Sequence, residues 1–203
     1  VLKKETFQDS YRAIKTRVAS EIGYPCYVKP SSSGSSIGIT RVESEENLGS
    51  AIDASLHWDN KVLIEEFIDG QEIECAIIGN SKPIAASYLG EISSANNFYD
   101  YDSKYSPDSK AEIFVPARLK EDTASNIRTL AIDAYQAIGC EGFARVDFFV
   151  DKDESITLSE INTIPGFTEN SLFPRLWEAS GVSYSELLTQ ILELALLKKK
   201  RVS

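Results

Sequence analysis

Asp147, Glu160 and Asn162 are the residues whose type and spacing most directly suggest chemistry. They sit in two strand-like segments, Phe143 to Val150 and Ile156 to Ile161, around Asp151-Lys152-Asp153-Glu154. A four-residue loop, Lys152 to Ser155, pairs Asp151 with Ile156. An unbroken antiparallel ladder from that pair brings Asp147 opposite Glu160 and Arg145 opposite Asn162, all on one face. Facing carboxylates repel one another unless a cation intervenes, and a divalent ion on Asp147, Glu160 and the Asn162 amide oxygen would supply it. The plainer alternative is a solvated acidic face; the flanking Phe143, Phe149 and Ile161 favour the metal. Asp151 to Ser155 superficially resembles a calcium loop, but Ile156 stands where that loop requires glycine.

A second group is Lys29-Pro30 followed by Ser31 to Gly38. Small residues let backbone N–H groups approach an anion, and a lysine ending the preceding strand adds a point charge suited to phosphate. The segment has neither the Gly-Lys-Ser/Thr of a Walker loop nor a GxGxxG fingerprint. A flexible hairpin is the alternative, and Lys29 tips the balance toward phosphate. A third and weaker group is Glu65-Glu66-Phe67-Ile68 with Glu72. It could present a strand edge to an adenine and a carboxylate to ribose hydroxyls, or be an ordinary charged edge strand.

The elements that must position these groups follow from periodicity. Tyr11, Ile14, Val18 and Ile22 recur at helical spacing before Gly23, and Cys26 to Lys29 read as a strand. A helix is expected over about 44–57, with Ser44 as cap and Glu45 and Glu46 in its first turn. Strands are expected at Val62 to Phe67, about 72–79 and about 83–90. Residues 93–110 carry no periodicity yet are rich in aromatics, which favours a functional loop over disorder. A helix over about 120–138 has Ile127, Leu130, Ala131, Ala134 and Ile138 on one face, and two short helices, about 173–180 and 184–197, close the chain. The mixed order of helices and hairpins predicts an α+β fold.

Composition narrows the function. With 203 residues, 42% hydrophobic and 26% charged, the chain suits one or two soluble domains. It has no stretch resembling a membrane helix or secretory signal. Lys plus Arg number 21 against 31 Asp plus Glu, which disfavours sequence-independent duplex binding. Cys26, Cys75 and Cys140 are dispersed and read as free thiols of a reducing compartment. His57 is the only histidine, so neither a His-based triad nor a multi-His zinc site can be built within this chain.

These residues, in this order, resemble the D-alanine–D-alanine ligase family of ATP-grasp enzymes. The resemblance runs from about Gly23 to Leu196. It rests on Val28-Lys29-Pro30 with Gly34 to Gly38, Leu63 to Glu66, Gly70-Gln71-Glu72, Phe98 to Tyr101 with Lys104-Tyr105, Ala144 to Asp147, and Glu160 to Thr168.

The resemblance implies an ATP-grasp fold in which two α+β lobes hold ATP between antiparallel sheets. Residues 1–66 would form part of the central lobe with the phosphate loop. Residues 67–203 would form the C-terminal lobe with the metal and second-substrate sites. It implies Lys29, Ser35 and Ser36 at the ATP phosphates, Glu65, Glu66, Phe67 and Ile68 at the adenine, and Glu72 at the ribose. Asp147, Glu160 and Asn162 match the ligands of two Mg2+ (or Mn2+) ions. Arg145 and the backbone near Gly166 match the groups that stabilise the tetrahedral intermediate, and Ser171 and Leu172 those that hold the second D-alanine. The resemblance further implies that Lys104 and Tyr105 match the family's mobile loop, in which the lysine would approach phosphate and the tyrosine would hydrogen-bond with Ser36. The activity implied is ATP-dependent joining of two D-alanines for peptidoglycan precursors, in the bacterial cytoplasm, by a full-length enzyme expected to be a homodimer. No nucleic-acid or membrane partner is expected.

The family's amino-terminal domain has no counterpart in the sequence. The piece alone is therefore expected to bind ATP weakly and not to ligate. Joining D-alanine to D-serine or D-lactate, and a non-catalytic nucleotide-binding module, are the alternative readings.

Overall fold

The computed structural model describes residues 2–85, 88–93, 112–168 and 170–202. They divide into a unit that runs to Ile68 and a unit that begins at Asp69.

The first unit holds strands β1 (Leu2–Lys3), β2 (Cys26–Pro30), β3 (Thr40–Val42) and β4 (Lys61–Glu66) in one antiparallel sheet of order β1-β4-β2-β3. Helix α1 (Lys4–Arg17), kinked at Ser10, continues through a single π-helical turn, Val18–Ile22. Gly23, at φ 82, ends it, and its N–H donates to the Val18 carbonyl at 2.8 Å. Helix α2 (Glu45–Leu56) buries Leu48, Ala51, Ile52, Ser55 and Leu56 against Cys26, Val28, Val42 and Val62. Alternation along β2 therefore turns Cys26 and Val28 to the core and Tyr27 and Lys29 to the opposite face. Ser44 occupies the N-cap position but does not cap with its hydroxyl, which donates instead to Glu46 Oε2 at 3.0 Å.

The second unit is built on a six-stranded antiparallel sheet: β5 (Gly70–Gly79), β6 (Ile84–Ala85), β7 (Gly90–Ser93), β8 (Glu112–Phe114), β9 (Gly142–Asp151) and β10 (Ile156–Asn162). The order is β10-β9-β5-β7-β8, with β6 also paired to β5. Where one strand was expected over about 83–90, the chain instead forms β6 and β7 in turn. Helix α3 (Glu121–Ala137) covers one sheet face. Its buried stripe is Thr123, Ile127, Ala131 and Tyr135, whereas Leu130 and Ile138 are 43% and 55% exposed. The expected face was thus rotated: the Tyr135 hydroxyl reaches the Gly79 carbonyl at 2.7 Å, so the larger ring is buried with its polar end satisfied. Helices α4 (Leu172–Ala179) and α5 (Tyr184–Val202) complete the unit.

The hairpin β9–β10 departs from the expected register at its turn. Ile156 pairs with Val150 rather than Asp151, and the loop is one residue longer than expected. Between Leu158 and Glu160 the register shifts, leaving Ser159 as the extra residue of a β-bulge. Beyond it Glu160 faces Asp147 and Asn162 faces Arg145, as the sequence predicts. Among the described residues no helix is long and apolar enough to cross a membrane.

Candidate active site

In the first unit, Lys29 on β2 and Glu65 on β4 share the sheet face away from α2. Lys29 Nζ lies 2.7 Å from Glu65 Oε2, with side-chain exposures of 19% and 44%. Alongside lie Tyr27, whose ring centroid is 6.1 Å from that of Phe67, and Arg41, whose guanidinium carbon is 4.6 Å from the Phe67 centroid. A cation, a carboxylate and a flat aromatic surface thus occupy one face, with Glu66 exposed and Ile68 half-buried at the strand's end.

The loop after β2 carries Ser35 and Ser36 in succession at φ 54 and 60. Left-handed backbone is uncommon for residues with a Cβ, and such strain concentrates at ligand-binding loops. The loop is pinned from outside: the Ser32 N–H donates to Asp59 Oδ2 at 2.8 Å, and the buried Ser55 hydroxyl to the Gly38 carbonyl at 2.8 Å. Gly38, at φ +75, lies so close to Trp58 and Pro30 that a Cβ would meet them at 2.6 and 2.8 Å. Ser55, Trp58 and Asp59 were not singled out in the sequence. Ser55 lies on the buried stripe of α2, and Trp58 and Asp59 directly follow that helix.

In the second unit, β5, β9 and β10 bring three carboxylates into one row. Glu74 pairs with Asp147, and Asp147 with Glu160. Glu74 and Asp147 are 3% and 4% exposed. Arg145, one turn of the pleat away, donates from Nε to Asp147 Oδ1 and from Nη2 to Oδ2, both at 2.7 Å, and its Nε lies 3.1 Å from Glu74 Oε2. Asn162 Nδ2 donates to Asp147 Oδ2 at 2.8 Å and to Glu160 Oε1 at 3.2 Å. Burial alone would favour loss of the Arg145 proton. Hydrogen bonding to Asp147 and the charges of Glu74, Asp147 and Glu160 outweigh it, holding the guanidinium's pKa above its ordinary value. Glu74 was not anticipated; its alternation with Glu72 on β5 is the signal that places both on this face.

Whether these residues suit a divalent cation can be judged from their donors. Among the described residues no three His, Cys, Asp or Glu side chains converge on a metal position. Asp147 and Glu160 nonetheless offer hard oxygens side by side, and the Asn162 amide, already within reach of both, carries an oxygen as well as its nitrogen. The set fits an oxygen-coordinated ion.

The loop after β10 is held by an aromatic cluster. Phe167 stands 5.7 Å from Phe143, 5.4 Å from Phe173 and 5.8 Å from Tyr184 between ring centroids, and the Tyr184 hydroxyl donates to the Phe167 carbonyl at 2.8 Å. Ser171 Oγ receives the Thr168 N–H at 3.1 Å and lies 2.9 Å from Thr168 Oγ1, leaving it uncommitted as a cap for α4. Leu172, the first residue of α4, is buried, and Gly166 is exposed with Ser171 Oγ 3.1 Å from where its Cβ would stand. Lys104 and Tyr105, with Phe98 to Tyr101, lie outside the described residues. Glu72 takes its place on the Asp147 face through its pairing with Phe149.

Residues 1–193 match the family model described as D-ala D-ala ligase C-terminus. A D-alanine–D-alanine ligase of Oceanobacillus iheyensis is 48% identical over 181 residues, 89% of this chain and 49% of that protein. D-alanine–D-alanine ligase A of Escherichia coli K12 is 46% identical over 179 residues, 88% of this chain and 49% of its own. The chain therefore spans about half the length of the curated relatives it matches. Among solved structures, the VanG D-Ala:D-Ser ligase from Enterococcus faecalis superposes with a TM-score of 0.84 at 34% identity, over 95% of this chain and 55% of that one. The D-alanine–D-alanine ligase from Coxiella burnetii gives 0.79 at 31%, over 98% and 57%. With its antiparallel sheets and flanking helices, the chain has the ATP-grasp fold and belongs to the D-alanine–D-alanine ligase C-terminus family.

Proposed function

We propose that this chain supplies the nucleotide, metal and second-substrate residues of an ATP-dependent ligase that joins two D-alanines for cell-wall precursors in the bacterial cytoplasm. The observation that carries the reading is the convergence of Arg145, Asp147, Glu160 and Asn162 on one face of two adjacent strands. Residues 1–66 provide the phosphate loop, and residues 67–203 the metal and second-substrate groups. Lys29 neutralises phosphate charge while the backbone around Ser35 and Ser36 approaches it. Glu65 to Ile68 contact the adenine, and Glu72 the ribose. Asp147, Glu160 and Asn162 would hold two magnesium or manganese ions, which when bound neutralise charge on the transferring phosphoryl group.

ATP phosphorylates the first D-alanine's carboxylate to an acyl phosphate, with ADP as the leaving group. The amine of the second D-alanine attacks the acyl carbon, and the tetrahedral species collapses to dipeptide and phosphate. Arg145, seated beside Asp147 and Glu74, and the N–H groups near Gly166 stabilise the oxyanion of that species. Ser171 and Leu172, at the start of α4, hold the second carboxylate where backbone N–H groups favour an anion. Lys104 and Tyr105 belong to the phosphate site in this reading, where exclusion of water protects the acyl phosphate from hydrolysis.

Titration of Mg-ATP into the wild-type chain and Asp147→Ala tests the reading. Cation-dependent binding that Asp147→Ala abolishes supports it; equal binding with and without the cation in both proteins favours a non-catalytic module. The likeness to a D-Ala:D-Ser ligase supports a second reading, in which D-serine is the second substrate. Competition between D-alanine, D-serine and D-lactate in the full-length protein separates them. Light scattering of the full-length protein tests its expected homodimer.

A further inference from the structure

We infer that Glu74 is a positioning residue for Arg145: it retains the guanidinium when the Asp147 carboxylate is taken up by a cation. The inference rests on the reading of Asp147, Glu160 and Asn162 as metal ligands. Arg145 spans two carboxylates on neighbouring strands, Asp147 through two hydrogen bonds of 2.7 Å and Glu74 at 3.1 Å from Nε. A guanidinium forked onto Asp147 competes with any cation for the same two oxygens. For a cation to win, Arg145 must release Asp147 without losing its own counter-charge, because its side chain is only 20% exposed and an unpaired buried charge is costly.

Glu74 meets that need from a fixed place. It lies on β5, flanked by β7 and β9, and is 3% exposed. Glu74 and the guanidinium form a close, largely buried ion pair whose attraction does not depend on Asp147, and breaking such a pair is costly. Charge points the same way. The charges of Glu74, Asp147 and Glu160 all act on this one guanidinium, leaving the row with negative charge that a divalent ion would balance. The two acidic residues of β5, two positions apart on one face, have different tasks in this reading: Glu72 is proposed for the ribose, and Glu74 faces Arg145.

The test is Mn2+ titration of the 203-residue chain, read by the resonance of free Mn2+, with thermal midpoints recorded in parallel. Residues that orient a metal's ligands change affinity by about 10–100-fold, so Glu74→Gln is expected to weaken Mn2+ binding by about tenfold or more. Glu74→Asp, which keeps the charge and retracts it by one methylene, is expected to lose less, about threefold, and serves if the glutamine variant does not fold. Because Glu74 acts through Arg145, Glu74→Gln in an Arg145→Gln background is expected to change the affinity less than about twofold. The inference is overturned alone if Asp147→Asn abolishes binding while Glu74→Gln and Glu74→Asp leave it unchanged. It is equally overturned if the loss persists undiminished without Arg145, since Glu74 would then act on the cation directly. A wild-type chain that binds no Mn2+ overturns the metal reading and the inference with it.

Discussion

Asp147 faces Glu160 across β9 and β10 in a register that the same two strands do not have near their turn. Between the turn and Leu158 each residue of β10 is paired one position off that register, and Ser159 absorbs the difference. The bulge also inverts the alternation. Ile156 and Ile161 both pack against the core under α3, although they stand five apart, and this puts Glu160 and Asn162 on the Asp147 face.

Removing Ser159 should therefore leave every pairing intact. Leu158 would still meet Phe148 and Glu160 would still meet Asp147, in a ladder without a bulge. The deletion is expected to fold and to cost about 1 kcal/mol or less, within the range of tolerated surface changes, since Leu158 is 46% exposed on an edge strand. Urea unfolding measures this. A loss of several kcal/mol would mean that the bulge's twist, and not only its register, holds the hairpin together.

Lys29 and Glu65 make an ion pair that matters little to stability. Glu65 is 44% exposed, and pairs of that kind contribute about 0–1 kcal/mol. Lys29→Gln should thus shift the unfolding free energy by less than about 1 kcal/mol while weakening Mg-ATP binding by about tenfold or more, as expected for loss of a charge-assisted contact. Calorimetric titration beside urea unfolding checks both numbers. Unchanged nucleotide affinity would remove Lys29 from the phosphate site.

What the sequence revealed, and what it did not, follows from the range of the signals. The carboxylate row was half legible because alternation along one strand is local: it put Arg145 and Asp147 on one face and Glu160 and Asn162 on its match. Glu74 was invisible because it joins the row only through the pairing of β5 with β9, a contact between residues some seventy apart in the chain. The bulge escaped for a different reason: a four-residue loop, and a longer loop plus Ser159, deliver Glu160 to the same partner. The face of α3 was misread because apolar residues alone defined it. Tyr135 is buried through a hydrogen bond to Gly79, which no periodicity in the helix records.

Glu91 on β7 gives the fold a measurable dependence on pH. Its carboxylate is 2% exposed and is held by Arg118 through the backbone N–H at 2.9 Å and Nη2 at 2.5 Å. Burial alone would raise the Glu91 pKa, but the Arg118 hydrogen bonds and charge outweigh it and hold the carboxyl below its ordinary value. A depressed carboxylate contributes stability above its unfolded pKa, about 4.3, and loses that contribution as the pH falls through its lower folded value. Glu91→Gln is expected to cost about 1–3 kcal/mol at pH 7, with the difference from wild type shrinking below about pH 4. Urea unfolding across that interval measures it, and a difference that grows on acidification would contradict the assignment.

Gly90 leads to a prediction about the second substrate. It lies on β7 opposite Glu74, and a Cβ there would stand 2.8 Å from Leu172 Cδ2, 3.1 Å from Cγ and 3.2 Å from Cδ1. All three atoms of the Leu172 side-chain fork would have to move, and the residue is only 8% exposed. Overpacking of this kind costs about 1–3 kcal/mol. Because Leu172 opens α4, the shift would fall on the backbone proposed to receive the second amino acid's carboxylate. Gly90→Ala in the full-length protein is thus expected to raise KM for the second D-alanine while leaving Mg-ATP affinity within about twofold, a change under about 0.5 kcal/mol. Leu172→Val gives back the volume of one methylene, so the double variant should recover part of both losses, and that non-additivity separates a local collision from general destabilisation. If Gly90→Ala alters stability but not KM, or if Leu172→Val makes the combination worse, Leu172 does not set the seat of that carboxylate.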